Sequence, residues 1–198
     1  MYLTRKIGGA LVLALALAAP AVAQDHAVVF FARGGGYNGL SDLNDAGTSD
    51  FKKVGYNVGA GVGVQVHRNV SVRGDFTFAR NELRDNQVTT GTRLNRFFYD
   101  AALQLQYPTS SGLEPYLFAG GGAVTLHEVG TSGQNKTKAA GTFGLGFNYR
   151  IPNTAFGVFA EGKSWIYKLD GMSGTLAGVD KTQYDVAWNG GFSYSLPF

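Results

Sequence analysis

Apolar and polar residues alternate one for one over much of this chain. From Tyr56 to Val66 every even position is Tyr, Val or Ala, while the odd positions hold Asn57, Gly59, Gly61, Gly63 and Gln65. Side chains two apart lie on one face of a strand, so this period predicts a β-strand with a larger apolar face and a small, polar one. The glycines fit no phosphate loop. A dinucleotide fingerprint needs G-x-G-x-x-G entering a helix, and a P-loop needs Lys followed by Ser or Thr; neither is present here. The alternation recurs in Phe97, Tyr99, Ala101, Leu103, Leu105 and Tyr107, set against Asp100, Ala102, Gln104 and Gln106. It recurs again in Phe143, Leu145, Phe147 and Tyr149, and along Tyr184 to Phe198.

Eight segments carry strand character: 26–37, 52–66, 69–81, 95–107, 114–126, 139–151, 155–168 and 183–198. The connections after the second, fourth and sixth are short (HRN, PTSSG, PNT). Those after the first, third, fifth and seventh are long and polar (NGLSDLNDAGTSD, ELRDNQVTTGTRL, HEVGTSGQNKTK, DGMSGTLAGVDKT). Short and long connections alternating around an even number of strands predict an all-β fold, an eight-stranded antiparallel up-and-down transmembrane β-barrel. The glycine- and serine-rich face suits a narrow lumen and the larger apolar face suits lipid. With the short turns in the periplasm, Tyr56, Phe76, Phe78, Phe97, Tyr99, Phe143 and Tyr184 form an outer aromatic girdle. Tyr107, Tyr116, Tyr149, Phe156, Tyr194 and Phe198 form the inner one. Trp188, nearer mid-strand, fits neither.

Residues 1–23 read as a cleaved signal peptide: Arg5 and Lys6, an apolar stretch from Ile7 to Ala19, then the small-residue site Ala21-Val22-Ala23. Residues 24–198 are then the barrel, one domain in size. Of the 17 Lys and Arg residues two lie in the leader, which leaves 15 against 14 Asp and Glu. Such a balance gives no electrostatic support for nucleic-acid binding. The chain has no Cys, hence no disulfide. After the leader the longest apolar run is Ala27 to Ala32, far below the ~20 residues of a membrane helix.

The pattern resembles the small eight-stranded outer-membrane barrels of Gram-negative bacteria, of the OmpA/OmpX and opacity-protein type. The resemblance spans residues 24–198 and is most specific in the ending NGGFSYSLPF, with Gly190, Phe192, Tyr194, Leu196 and Phe198 on one face. It implies an integral outer-membrane protein whose last strand is read by the barrel-assembly machinery. It also implies contact with outer-membrane lipid and lipopolysaccharide, and a structural or surface-interaction role through the long loops toward an extracellular partner. A small pore for ions or solutes is the second expectation and a lipid A-modifying enzyme the third.

Inward positions carry Arg33, Arg73, Asp75, Asp100, Arg150, Glu161, Lys163 and Asp185. Four charges of each sign in a narrow interior must pair, which predicts a lumen ionic network; if it fails to fill the interior, it lines an ion-selective pore. Val29 and Phe31 share a face with Arg33, and Phe159 and Trp165 with Glu161 and Lys163. A bulge in each strand would restore the alternation. Arg80, Arg84, Arg93 and Arg96 cluster around the second long connection and are expected at the outer rim, as lipopolysaccharide phosphate contacts. No catalytic, cofactor or metal site is expected. Asp42, Asn44 and Gly47 match a calcium loop, but Lys53 stands where it needs a bidentate Glu. His127, with Glu128 and Ser132, lacks the spacing of a barrel deacylase.

Overall fold

The computed structural model describes residues 26–43, 49–50, 54–85, 88–129, 135–171 and 176–197. The leader, Asn44, Gly47, Lys53, Ser132 and Phe198 lie outside these residues.

Eight strands follow one another: β1 Ala27–Gly39, β2 Gly55–His67, β3 Val70–Asp85, β4 Val88–Gln106, β5 Leu113–Val129, β6 Asn135–Arg150, β7 Phe156–Leu169 and β8 Lys181–Pro197. Each pairs antiparallel with its neighbours in sequence, and β1 pairs with β8, so the sheet closes into a barrel. Closure gives each of the eight strands a neighbour on both sides, the condition for a sheet to sit in lipid. A two-residue strand, Ser49–Asp50, extends the sheet beside the end of β3. Two of the short turns bend through left-handed backbone, at Gly112 (φ 80°) and at Asn153 (φ 60°), a residue that tolerates that region.

The strands outrun the apolar segments at the long-loop end. β3 and β4 continue through Asp85 and Val88, so most of the polar stretch expected as a loop is strand instead. The cause lies in how the two faces are used. Near the short turns Leu103, Leu105, Leu117, Leu145 and Phe147 face outward and are exposed, while Gln104, Gln106, Ser71, Glu114 and Ser193 face inward. Toward the long loops the faces exchange character. Leu83, Leu94, Val124, Leu126 and Leu169 are buried inside, and Arg80, Glu82, Arg93, Thr125 and His127 lie outside. Leu43 and Leu176, from the first and fourth long connections, pack into this upper core. The lower barrel therefore matches lipid outside and water inside, and the upper barrel is built like a soluble one.

The expected bulges in β1 and β7 do not occur; both strands keep continuous register with both neighbours. Register shifts sit instead between Gln65 and His67 and between Glu82 and Arg84. Phe31 and Phe159 point into the lumen as edge-to-face partners, ring centres 6.3 Å apart. Glycine makes this possible. A Cβ on Gly61 would stand 2.3 Å from the Phe31 ring, and one on Gly191 would stand 2.5 Å from that of Phe159. Tyr116, expected in the inner girdle, also points inward, with its hydroxyl donating to Glu161 Oε2 at 3.1 Å.

Candidate functional site

A belt of three cations and three carboxylates crosses the middle of the lumen. Its members come from β1, β3, β4 and β7, on alternating positions that all face inward. Asp75 is the hub. Its Oδ1 accepts from Arg33 Nη1 at 2.5 Å and Arg73 Nη2 at 3.0 Å, and its Oδ2 accepts from Arg73 Nε at 2.9 Å. Lys163 Nζ lies 3.5 Å from the same Oδ1 and donates to Asp100 Oδ1 at 2.7 Å. Arg73 Nη1 donates to Glu161 Oε2 at 2.8 Å, and Trp165 Nε1 donates to Asp100 Oδ2 at 3.1 Å. The Arg73 guanidinium is held between the rings of Phe31 and Phe118, 4.6 and 4.4 Å from their centres. The charges balance and every member is buried. Desolvation offsets much of the attraction in such a cluster, but removing one partner strands the others.

A second tier lies toward the long loops. Asp185 Oδ2 accepts from the Tyr37 hydroxyl and from Tyr167 OH at 2.7 Å. Arg96 Nε donates to Tyr167 OH at 2.8 Å and stands 3.4 Å from Asp185 Oδ2, while its Nη1 donates to Asn81. Trp165 and Phe98 stack beside it, 4.3 Å between centres at 19°. Above this tier the apolar upper core fills the barrel.

Two sequence expectations are corrected here. Arg96 is a lumen residue with no exposed surface, not a rim residue. It shares the even-numbered face of β4 with Phe98 and Asp100, a parity visible in the sequence. Arg150 stands outside the belt, half-exposed at the short-turn end, where Nη2 donates to Glu114 Oε1 at 2.8 Å. The other seven charges of the expected network line the lumen, and Arg96, Tyr37, Tyr116 and Tyr167 join them.

Of the four rim arginines, Arg80 and Arg93 are on the outer surface. Arg80 Nε donates to Asn95 Oδ1 at 2.6 Å, and its guanidinium lies 5.8 Å from the centre of the Phe78 ring. Arg93 Nε donates to Glu82 Oε1 at 3.2 Å. The side chain of Arg84 lies outside the described part. Just below them a contiguous aromatic surface joins Tyr56, Phe78, Phe97, Phe76 and Tyr99, with successive ring centres 5.2–6.5 Å apart. His127 faces outward, 2.8 Å from Asn135 Oδ1, while its neighbour Glu128 is buried on the opposite face of β5. The pair does not assemble into one site.

A cavity of about 70 Å³ opens at the short-turn end. Its walls include Gln65, Ser71, Gln104, Asn148 and Ser193, and Arg73 and Glu161 form its blind end. Among the described residues no group of three His, Asp or Glu side chains is placed to hold a metal.

Residues 9–195 match the family described as outer membrane protein beta-barrel domain. Neisserial surface protein A superposes with a TM-score of 0.61 at 14% identity, covering 89% of this chain and 100% of its own. The attachment invasion locus protein Ail of Yersinia pestis, crystallised with the heparin analogue sucrose octasulfate, superposes at 0.52 with 11% identity. That match covers 86% of this chain and 98% of Ail. At such identities the likeness concerns the fold. No curated protein matches the chain by sequence.

Proposed function

Because the chain belongs to the outer membrane protein beta-barrel family and is thus an integral outer-membrane barrel, we propose that it works as a closed barrel, through its extracellular rim and loops. The carrying observation is the filled lumen. From Glu161 up to Leu176 the interior is occupied in turn by the ionic belt, the Asp185 tier and the apolar upper core. A barrel of eight strands is just wide enough for side chains to fill. What remains for function is the outside.

On this reading residues 1–23 direct export and are removed, and the β8 ladder ending in Phe198 is the segment captured by the assembly machinery. Arg80 and Arg93 contact lipopolysaccharide phosphates above the aromatic surface, where the planar guanidinium suits phosphate oxygens. The long loops contact an extracellular partner. The chemistry of the rim arginines supports the lipid contact, and the anchoring of Leu43 and Leu176 in the barrel supports loops held for recognition.

Two measurements test this. The wild-type barrel in planar bilayers is expected to show no unitary conductance; regular steps would favour a pore. The Arg80→Gln/Arg93→Gln variant is expected to lose lipopolysaccharide on co-purification, with heat-modifiability on a gel unchanged. Equal co-purification across a salt series would remove the lipid contact.

A further inference from the structure

The belt does not fill its cross-section evenly. On the β4–β7 side it is walled by Phe118, Phe159 and Trp165. On the other side one cross-strand row runs Asn57–Gly35–Asn189–Glu161, across β2, β1, β8 and β7. Gly35 contributes no side chain between the two asparagines. Asn57 is 1% exposed, Asn189 6% and Glu161 4%, yet their polar groups are incompletely matched. Asn189 has neither amide atom bonded, and Asn57 Oδ1, Glu161 Oε1 and Arg33 Nε are also unpartnered. Glu161 Oε1 stands 3.6 Å from Arg33 Nη1, too far for a hydrogen bond. Buried groups of this kind are nearly always paired, so three acceptors and two donors along this row and the adjoining Arg33 call for partners that both donate and accept.

We propose that this row is a binding site for water or a neutral solute of similar size, filled from the periplasm, and that solvent stops at Tyr37. The inference rests on the closed-lumen reading and adds where the closure lies. The cavity supplies the entry. It ends on Glu161, and its volume holds about five to seven water molecules at ~10–15 Å³ each. The charges supply the selectivity: three cations face three carboxylates, so no net charge recruits an ion. The stop is the next tier, where Tyr37 lies opposite Ala187 and Ala187 opposite Lys163, with the Tyr37 ring packed on Phe98 and Trp165. Asp185 Oδ1 and both amide atoms of Gln183 are again unpartnered above it. The Tyr37–Ala187 tier thus divides one polar column on β8 into two.

The chain has no cysteine, so single thiols report access directly. Asn57→Cys, Asn189→Cys and Ala187→Cys are each refolded into lipid nanodiscs, shown to be heat-modifiable, and treated with methyl methanethiosulfonate. Thiols at 57 and 189 are expected to react, and the thiol at 187 at least about tenfold more slowly, since reactivity follows access. Adding Tyr37→Ala to Ala187→Cys should remove that difference. If neither 57 nor 189 reacts, the row is dry and the proposal fails while the closed barrel stands. If 187 reacts as fast as 189 with Tyr37 in place, solvent does not stop at Tyr37 and the proposed seal fails, whereas the closed-lumen reading, which also rests on the apolar upper core, fails only on unitary conductance.

Discussion

Asp75→Asn removes one charge from the belt at nearly constant volume. Three cations, Arg33, Arg73 and Lys163, then face two carboxylates in a space with almost no solvent exposure. Two unit charges 4 Å apart interact by about 4 kcal/mol at an effective dielectric of 20, and breaking a buried pair from one side costs ~3–5 kcal/mol in measured cases. Asp75 serves three cations at 2.5–3.5 Å, so a loss of about 3–5 kcal/mol is expected, a large part of the ~5–15 kcal/mol that holds a typical domain folded. The companion Arg33→Met takes away the cation most dependent on Asp75. Arg73 keeps Glu161 and Lys163 keeps Asp100. Because the double variant restores balance, it should cost less than the two single changes added together, with a coupling of about 1–3 kcal/mol. Reversible urea unfolding in lipid vesicles, followed by far-ultraviolet circular dichroism, gives all four corners of the cycle. Arg93→Gln is the reference, since that pair is partly exposed and is worth at most ~1 kcal/mol. An Asp75→Asn barrel within 1 kcal/mol of wild type, or strict additivity in the cycle, would refute the belt as a mutually dependent unit.

Three further outcomes are expected. Gly61→Ala should destabilise the barrel by about 1–3 kcal/mol, because the new methyl meets the Phe31 ring and the Gly74 carbonyl, whereas Gly190→Ala, with nothing within 4 Å, should be near neutral in the same assay. Leu103→Arg, on the exposed apolar face, should cost ~2–4 kcal/mol near the bilayer midplane, while Gln104→Glu, facing the cavity, should cost clearly less; equal costs would reverse the facing of β4. Deleting Phe198 should lower the amount of barrel in outer-membrane fractions and leave degraded protein in the periplasm, as quantitative immunoblots would show.

The barrel was legible in the sequence because each strand is long enough for its alternation to repeat, and the short and long connections fixed the antiparallel order. The lumen was legible wherever a charge sat among glycines or polar residues, as with Arg73, Asp75 and Asp100. It was misread where apolar side chains face inward. Phe31 and Tyr116 share the lumen with charges because they cover Arg73 and bond Glu161, and Phe159 packs edge-on to Phe31, so a hydrophobic residue on the charged face does not mean a slip in register. Arg96 was misplaced for a related reason. The polar residues around it look like a loop, but there the outer face is the wet one, and the parity that binds Arg96 to Asp100 was the better guide. No single-strand pattern reveals the Tyr37–Asp185–Tyr167 contacts, since they join residues 148 and 18 positions apart.

The unequal strands give the barrel a sloping parapet. β1 and β2 have 13 residues each, while β3 to β6 have 16 to 19. At a rise of about 3.3 Å per residue and a tilt near 40°, each residue adds roughly 2.5 Å of height. The 19 residues of β4 therefore reach about 47 Å from the turns, against an apolar band of about 25 Å, and stand about 15 Å above β1 and β2. Among the described strands the flank bearing Arg93 and His127 therefore rises highest on the long-loop side. The connection that follows β1 climbs this step, since Ser49–Asp50 pairs with Arg84 and Asp85 at the top of β3 and buttresses the taller wall from the side.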